Sequence, residues 1–351
     1  MNSNLYSIID AFAGLNLLVI GEGILDSYLE GFSERLCQEA PVPVVTLSDR
    51  KDVPGGAANT AVNVRSLGAE VKLISVIGDD LEGNLLRQAL SDRGVSTEYL
   101  LTEKFRSTLA KHRVISSGQM VVRFDRGSTN SIDGKTEEKL INYLIKLFPQ
   151  SDAVIISDYG YGILTPRVID AIANFQASFP RIVVVDSKNL APYHKVGVTA
   201  VKPNYREAMR LLAESELENN QIRVSNIIRN RNRILELTGA EIAAVTLDTE
   251  GAVILERASP PYRTFAPPFS NAYVAGAGDT FISAFTACLV LNATLPLAAE
   301  LASAAAAIVV AKEGTAACSA QELQEYIWMG EQYLNRVANL TNKKNSAREV
   351  A

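Results

Sequence analysis

The feature that most constrains this chain is a repeated alternation of short, β-branched apolar runs with helical patterns. Most of the runs are continuously apolar, which is typical of parallel strands buried on both faces of a sheet. This alternation predicts a doubly wound α/β fold, with a mostly parallel sheet and helices on both of its faces. The predicted strands cover residues 16–23, 71–78, 152–159, 181–188, 198–204, 242–248 and 251–256. The predicted helices cover residues 57–67, 82–93, 136–148, 165–179, 205–217, 222–238, 277–292, 295–311 and 319–340.

Two segments break this rhythm, residues 25–50 and 106–126. Their polar and apolar residues alternate strictly, which predicts a small sheet with one exposed or partner-covered face, separate from the main core. The sequence SSGQ at 116–119 predicts a hairpin turn between the last two of these strands. Such a sheet suits a lid over a site in the α/β core or the surface of a homodimer, and the two roles are compatible. We expect one domain over residues 1–340, followed by a polar tail at 341–351.

The composition argues against several functional classes. Hydrophobic residues make up 47% of the 351 residues and charged residues 21%, as in ordinary soluble proteins. A net charge of −5 argues against a general binder of nucleic acid or of anionic membranes. Two histidines and three scattered cysteines argue against a histidine-based metal site, a zinc site or a disulfide framework. No apolar stretch is long enough to span a bilayer, and the N-terminus does not resemble a signal peptide, so we expect a cytoplasmic protein.

The most informative motif is AGAGDTF at 275–281, directly before an apolar helical run. Three small residues leave successive backbone N–H groups exposed at a helix start, where the macrodipole also favours an anion. Asp279 lies beside this cradle. Phosphoryl transfer to a hydroxyl requires a turn that stabilises charge on the transferred group and an acid that takes the hydroxyl proton. The alternative is a tight turn in which Asp279 only caps the helix.

A glycine-rich block, GGAANTAVNVRSLGA, is the second motif. Gly55 and Gly56 let the backbone approach a ligand closely, and Asn59 offers a donor and an acceptor to a sugar hydroxyl. Asp26 follows the first strand region, a usual ligand position in open α/β sheets, and an acid suits two sugar hydroxyls. The alternatives are a loop that caps an alanine-rich helix and an aspartate in a turn. Neither feature decides the matter alone.

Two later segments carry groups that suit a nucleotide. KPNYREA places Asn204 and Glu207 on one helical face. That pair could hold the hydration shell of a magnesium ion and phosphate oxygens, or it could form only a helix cap. VVVDSK brings Asp186 and Lys188 to a strand end, where a lysine could meet a phosphate. A surface lysine is the alternative there.

Two apparent nucleotide-binding motifs fail on their spacing. GEGILD follows a strand, but it lacks the third glycine and the helix that a dinucleotide fingerprint needs. GKT at 134–136 precedes a helix, but six residues separate it from Gly127, where a P-loop requires four. We therefore predict neither a nicotinamide site nor a P-loop.

In this order, on an α/β chain with an extended lid segment, the motifs resemble those of the ribokinase (PfkB-type) sugar kinases. The resemblance covers roughly residues 15–330 and rests on GGAANTAVNVRSLGAEVKLISVIGDDLEGNLL and on AGAGDTFISAF. Within the family the chain looks most like the kinase domain of the heptose-7-phosphate enzymes of ADP-heptose synthesis, through EAPVPVV, RVISSGQMVVRFD and SDYGYG. Bifunctional members carry a nucleotidyltransferase domain after the kinase. This sequence contains no HxGH-type motif, so we expect no nucleotidyl transfer from it.

The resemblance implies ATP- and Mg²⁺-dependent phosphorylation of a sugar or sugar-phosphate hydroxyl, with C1 of a heptose-7-phosphate-like substrate as the leading candidate. It makes Asp279 the general base and the N–H groups of Gly276, Ala277 and Gly278 the anion hole. It also implies a homodimer through the lid. The sugar-binding residues would be Asp26, Gly55, Gly56 and Asn59, with the lid cations Arg35, Lys111, Arg113 and Arg123 for a phosphorylated sugar. The nucleotide-binding residues would be Lys188, Asn204, Thr246, Gly251 and Ser303, with Asn204 and Glu207 holding Mg²⁺ through water.

Three positions depart from the family pattern. Tyr273 replaces an acid that commonly helps to bind a monovalent cation, which argues against potassium activation. Ser303 stands where the subgroup usually has asparagine near the adenine, and Tyr161 stands where a lysine is common. The alternatives are therefore a kinase of the same mechanism for another sugar or a nucleoside, and a catalytically weak sugar- or nucleotide-binding regulator. The intact Asp279 favours a kinase.

Overall fold

A computed structural model describes residues 2–216, 220–266 and 275–330. The strands within these ranges are β1 (Asn16–Gly21), β2 (Gly23–Leu36), β3 (Pro43–Gly56), β4 (Glu70–Gly78), β5 (Leu100–Glu103), β6 (Ala110–Ser116), β7 (Gln119–Arg126), β8 (Ala153–Asp158), β9 (Ile182–Ser187), β10 (Ala200–Val201), β11 (Ile242–Thr246), β12 (Ala252–Glu256) and β13 (Tyr262–Arg263). The helices are α1 (Asn2–Ala11), α2 (Ala57–Ser66), α3 (Leu81–Ser91), α4 (Gly134–Leu147), α5 (Pro166–Ser178), α6 (Tyr205–Leu212), α7 (Asn220–Arg229), α8 (Arg231–Thr238), α9 (Ala277–Val290) and α10 (Leu295–Val310), and residues 320–330 are also helical.

The central sheet has the strand order β13-β12-β11-β10-β9-β8-β1-β4-β5. The strands from β11 to β5 pair in parallel, and β12 and β13 add an antiparallel edge. The strand order reverses at β1, since the chain passes first to β4 and β5 on one side and later to β8 on the other. In sheets of this kind ligands bind beyond the carboxyl ends of the strands, close to such a reversal.

Helices cover both faces of the central sheet, as the continuous apolar runs predict. In β1, Leu17 and Val19 pack into one hydrophobic cluster with α2, α9 and α10. Leu18 and Ile20 pack into a second cluster with α4, α5 and α6. Successive side chains of a strand point to opposite faces, so burial of both faces requires every residue of the run to be apolar. The predicted doubly wound, mostly parallel α/β fold is confirmed.

Several predicted boundaries differ from those in the structure. The strand predicted at 16–23 ends at Gly21 in the structure, and the long strand β2 begins at Gly23. The strand predicted at 198–204 is reduced to β10, and the helix predicted at 222–238 is divided into α7 and α8. The division falls at Asn230, whose ψ of 8° departs from helical geometry while its side chain bonds Asn226. The tail at 341–351 lies outside the described residues.

The two segments with alternating polarity form a separate four-stranded sheet, as predicted. Its strand order is β3-β2-β6-β7, with β2 and β6 parallel and the two outer pairs antiparallel. Ser117 and Gly118 both have positive φ, which is the geometry of a two-residue hairpin turn, so the predicted SSGQ turn is confirmed. We call this sheet the lid. Because β3 runs directly into α2, the lid is joined to the core beside the reversal point.

Two further predictions concern cysteines and membrane spans. All three cysteines are free thiols, so no disulfide joins them. Among the described residues, no helix has the length and apolar character needed to cross a bilayer.

Candidate active site

The carboxyl ends of the central strands and the first turns of α6 and α9 enclose a cavity of about 740 Å³. A volume of this size is within the usual range for small-molecule sites, ~300–1,000 Å³. We call it the strand-end cavity. The residues predicted for nucleotide and anion binding line it together, namely Lys188, Asn204, Glu207, Thr246, Gly251, Gly276, Ala277, Gly278, Asp279 and Ser303.

The anion-binding turn predicted from AGAGDTF is the first turn of α9. Gly276 precedes the helix with a φ of 86°, a conformation that glycine adopts without strain. A Cβ at this position would lie 2.8 Å from Nδ2 of Asn59, so a larger residue would also collide with α2. The first N–H groups of a helix have no intrahelical acceptor. Those of this turn therefore offer a cradle for an anion at the cavity wall.

Asp279 is buried in the same turn, 6% exposed, and hydrogen bonds hold its carboxylate in place. Asn59 Nδ2 donates to Oδ2 at 2.8 Å, and the Tyr159 hydroxyl and Thr60 hydroxyl donate to Oδ1 at 3.4 Å. Burial raises the pKa of Asp279 to about 6, although the bond from Asn59 opposes the shift. Asp279 is therefore ionised at neutral pH and is a stronger base than an exposed aspartate.

Asn204 and Glu207 form a capping box at the start of α6. The Asn204 side chain accepts from the Glu207 N–H at 2.8 Å, and Glu207 Oε2 accepts from the Asn204 N–H at 2.9 Å. Lys188 Nζ donates to the other oxygen of Glu207 at 2.6 Å. Burial favours protonation of Glu207, but Lys188 and the Asn204 N–H hold its pKa below the usual value. Both alternatives for this motif are therefore compatible, because the cap itself lies on the cavity wall.

Direct metal coordination by this pair would disrupt those bonds, because both oxygens of Glu207 are already acceptors. Across the described ranges, no cluster of three or more His, Cys, Asp and Glu side chains is arranged to hold a metal. Each carboxylate oxygen still has a second lone pair, which can accept from a metal-bound water. The donor set therefore fits a hydrated ion held through water, as Mg²⁺ often is.

The predicted sugar-binding cations lie mainly on one face of the lid. Asp26 is opposite Lys111 in register, and Arg113 is opposite Arg123, so alternation places these side chains on a common face, the inner lid face. Arg113 Nη1 donates to Asp26 Oδ1 at 2.8 Å. Arg123 pairs with Asp125 beside them. Arg35 lies apart from this group, in the exposed distal part of β2.

The glycine block has packing roles that the sequence did not reveal. A Cβ at Gly55 would lie 2.5 Å from the Asp26 carboxylate, so this glycine leaves room for that side chain. Gly56 turns the chain from β3 into α2 with a φ of 58°. Asn59 is buried and donates from its side-chain amide to Asp279, while its contact with the sugar stays a prediction.

Sequence reasoning missed Tyr159, which links the two sides of the site. Its hydroxyl contacts Asp279, and its ring lies 5.0 Å from Lys111 Nζ and 5.5 Å from Lys188 Nζ. The buried carboxylate of Glu22 holds this loop by accepting the N–H groups of Tyr159, Tyr161 and Ile163. The available signal was position, since Tyr159 directly follows β8 at the carboxyl edge of the sheet.

A buried ion pair in the cavity wall also received no role from the sequence. Lys202 Nζ lies 3.0 Å from Asp186 Oδ2, and the two residues come from the ends of β10 and β9. Burial opposes the charge on Lys202, but the carboxylates of Asp186, Glu207 and Asp279 raise its pKa above the usual value. The signal was again a polar residue directly after a buried strand.

Of the positions that depart from the family pattern, the structure describes Ser303 but not Tyr273. Ser303 lines the cavity and donates to the Thr264 hydroxyl at 2.8 Å. Tyr273 lies outside the described residues, so its effect on a monovalent cation stays a prediction.

The sequence matches the pfkB family carbohydrate kinase model over residues 15–322. The chain belongs to this family. The membership predicted from the two motif blocks is confirmed. A relative, the bifunctional protein HldE of Desulfatibacillum aliphaticivorans, is 35% identical over 322 residues, which cover 92% of this chain and 65% of that protein. The chain thus spans just under two thirds of the length of this curated relative.

Solved structures show the same ribokinase-like fold. Phosphofructokinase-2 from Escherichia coli in complex with potassium superposes with a TM-score of 0.74 at 21% identity, over 90% of this chain and 99% of that chain. Arabidopsis thaliana ribokinase complexed with ribose and ATP superposes with a TM-score of 0.67 at 17% identity, over 89% and 98%. At these identities the likeness is one of fold.

Replacing Asp279 by asparagine should stabilise the fold at neutral pH, because a buried amide avoids the cost of a buried ionised carboxylate. In the wild type this cost is absent below pH 3.8, the ordinary pKa of aspartate, and reaches its full value above about pH 6. The unfolding free energy of D279N relative to wild type should therefore increase by roughly 2 kcal/mol from about pH 4 to about pH 7. Urea unfolding across this range measures the difference.

Asp133 provides a control of opposite sign. The Thr136 N–H holds the pKa of this helix-capping carboxylate below its usual value, so D133A should lose more stability as the pH rises through the acid range. A pH-independent difference between D279N and wild type would contradict the raised pKa of Asp279.

Proposed function

We propose that this protein is an ATP-dependent kinase that phosphorylates a hydroxyl of a sugar or sugar phosphate. The observation that supports this most strongly is the place of one buried carboxylate between an anion-binding helix start and a cationic lid face. Asp279 belongs to the first turn of α9, and Tyr159 connects it to Lys111 on the lid. A base between a phosphate site and a sugar site is the arrangement that phosphoryl transfer requires.

In the proposed reaction the substrate hydroxyl gives its proton to Asp279 while its oxygen attacks the γ-phosphorus of ATP. The bond from the γ-phosphorus to the bridging oxygen breaks, and its electron pair leaves with ADP. The N–H groups of Gly276, Ala277 and Gly278 stabilise the negative charge on the group being transferred. A base with a pKa of about 6 is ionised at neutral pH and basic enough to accept the proton.

The strand-end cavity suits ATP with a hydrated magnesium ion. Ala306, Ala307 and Val310 of α10 provide an apolar wall for the base, near Ser303. We infer that Asn204 and Glu207 hold Mg²⁺ through water while Lys188 meets a phosphate. When bound, the ion neutralises charge on the phosphate oxygens.

The inner lid face favours a phosphorylated sugar. Lys111, Arg113 and Arg123 outnumber the carboxylates of Asp26 and Asp125 that face them, so this surface has an excess of positive charge. Asp26 can accept from two sugar hydroxyls. Together with the resemblance to heptose-7-phosphate kinases, this supports a heptose-7-phosphate-like substrate that is phosphorylated at C1.

D279N tests the assignment of the base. General-base catalysis contributes typically 10²–10⁴-fold, so kcat should fall about 1,000-fold while ATP still binds. In the wild type, kcat/KM should rise with pH and reach a plateau above about pH 6, where Asp279 is ionised. Because D279N should be at least as stable as wild type, lost activity cannot be attributed to unfolding. Turnover close to that of the wild type in D279N would exclude Asp279 as the base.

A panel of sugars and sugar phosphates tests the substrate class through ADP release. We expect phosphorylated sugars to be preferred, with heptose 7-phosphate at the lowest KM. Lys111→Met should raise KM for phosphorylated sugars about tenfold or more and have less effect on unphosphorylated ones. Lys72→Met, at an exposed lysine of β4, is the control and should leave KM unchanged. Absence of turnover with every compound would favour a binding regulator instead of a kinase.

The same assay tests whether a monovalent cation is needed. Because Tyr273 replaces an acidic ligand, we expect less than about a twofold change in rate when K⁺ replaces tetramethylammonium. Strong stimulation by K⁺ would show that the cation site is retained without that acid.

We also propose a homodimer in which two lids pack together. On the face opposite the inner lid face, Val122 lies opposite Val114 and Phe124 opposite His112. Val122 is 49% exposed and Phe124 is 43% exposed, although both are large and apolar. A second lid would cover this face, and an identical surface on each copy is what a two-fold dimer needs.

Phe124→Asp should convert the dimer to a monomer, because a carboxylate would be buried in the interface without a partner. Light scattering coupled to size-exclusion chromatography measures the mass. Phe179→Asp is a matched control, since Phe179 is 44% exposed but lies just after α5, away from the lid. A monomeric wild type, or an unchanged F124D dimer, would exclude this interface.

A further inference from the structure

Glu22 is a fully buried carboxylate that the reaction described above does not use. It lies between β1 and β2, where the chain leaves the central sheet and enters the lid. Its N–H donates to the carbonyl of Ser157 at the end of β8, at 3.2 Å. Its carbonyl accepts from the N–H of Ala57, the first residue of α2, at 2.9 Å. The backbone of Glu22 is therefore fixed to β8 and to α2 independently of its side chain.

The side chain of Glu22 binds the segment that follows β8, residues 159–163, which we call the Tyr159 loop. Its Oε2 accepts from the N–H of Tyr159 at 2.8 Å. Its Oε1 accepts from the N–H groups of Tyr161 and Ile163, each at 3.2 Å. One carboxylate therefore holds three alternate residues of this loop.

Two glycines shape the Tyr159 loop into a site for this carboxylate. Gly160 and Gly162 have φ values of 73° and 87°, which glycine adopts without strain. Left-handed residues that alternate with ordinary ones turn the intervening N–H groups to one side, and such a backbone concavity binds an anion. Glu22 supplies that anion from the point where the lid begins.

Stability alone does not account for an acid at this position. Burial and the negative charge of Asp158 raise the pKa of Glu22 from the ordinary value of 4.5 to about 7, although the three N–H groups oppose the shift. The ionised form therefore lowers the free energy of unfolding, by an amount that grows over this pH range. A glutamine would avoid this cost, but in either orientation its NH₂ group would face an N–H donor of the loop. The carboxylate is suited to the geometry of the loop.

Arg106 holds the same loop from the second place where the lid joins the core. It precedes β6 and is 5% exposed. Its Nη2 donates to the carbonyl of Tyr161 at 2.6 Å and to that of Ser128, just after β7, at 3.1 Å. Glu22 and Arg106 thus connect the Tyr159 loop to both pairs of lid strands.

We propose that Glu22 is a positioning residue for phosphoryl transfer, which acts by holding Tyr159 against Asp279. This rests on the proposed kinase function. The Tyr159 hydroxyl donates to Asp279 at 3.4 Å, and its ring lies beside Lys111 of the inner lid face. Because Glu22 fixes both the start of the lid and the Tyr159 loop, it keeps the base aligned with the sugar-binding surface. A misplacement of about 1 Å between reacting groups can slow a reaction ~100-fold.

Glu22→Gln tests this proposal at about pH 8, where Glu22 and Asp279 are both ionised. With the sugar of lowest KM, we expect kcat to fall about tenfold or more. KM for ATP and for the sugar should change less than about threefold, because Glu22 lies outside both binding surfaces. Glu22→Asp, which keeps the carboxylate, should recover part of kcat. Glu214→Gln is the control: Glu214 also accepts a hydrogen bond, from Asn226 at 3.0 Å, but it follows the last turn of α6, so kcat should stay unchanged.

Tyr159→Leu separates positioning from a purely structural role, because it removes the group through which Glu22 acts. The double variant E22Q/Y159L should be no slower than Y159L alone, since no Tyr159 side chain remains to be positioned. The proposal is overturned if E22Q keeps the kcat of the wild type, or if it lowers kcat by the same factor with and without Tyr159. Either result would leave Glu22 only as the acceptor for three buried N–H groups.

A crystal structure of the wild type with ADP and the sugar decides the matter even if E22Q does not fold. The three N–H bonds to Glu22 should persist, and the Tyr159 hydroxyl should lie about 3 Å from Asp279. A complex in which Tyr159 has left Asp279, or the loop has left Glu22, would refute the proposal. Failure of the kinase function itself is distinguishable, because the wild type would then release no ADP with any sugar in the panel.

Discussion

The candidate active site depends on the contact between α2 and α9. Asn59 donates to Asp279 at 2.8 Å, and Thr280 donates to Asn63 at 2.7 Å, so four buried polar side chains from the two helices satisfy one another. Small residues along both helices allow this close approach. Helix α2 continues from the lid strand β3, and α9 begins with the anion-binding turn. This one buried contact therefore positions Asp279 relative to both the lid and the anion-binding turn.

Burial sets the charges of the site, and its effect depends on the partners of each group. Asp279 has an amide as its closest donor, so burial dominates and its pKa rises to about 6. Glu207 meets Lys188 and a backbone N–H, which keep it ionised. Lys202 keeps its charge through neighbouring carboxylates. The ionised carboxylate of Asp279 therefore lowers the stability of the fold at neutral pH, whereas the partners of Glu207 and Lys202 compensate for the burial of those two charges.

Several residues have a structural and a proposed functional role at the same time. Asn204 and Glu207 cap α6 and also line the cavity, because the helix starts at the carboxyl edge of the sheet. Gly55 makes room for Asp26, and Asn59 holds the base from within α2. The sequence could not decide between a helix cap and a functional site for such residues, because the same local geometry serves both roles.

The sequence by itself determined the fold class, the separate lid, the family and the anion-binding turn with Asp279, because apolar periodicity and motif order are properties of the local chain. It could not identify Tyr159 or Lys202, or the contact of Asn59 with Asp279, 220 residues away. Those depend on which strand ends and helices meet. Only the tertiary structure decided which charges are buried and what each one faces, because burial and pairing, and hence pKa, come from residues distant in the chain.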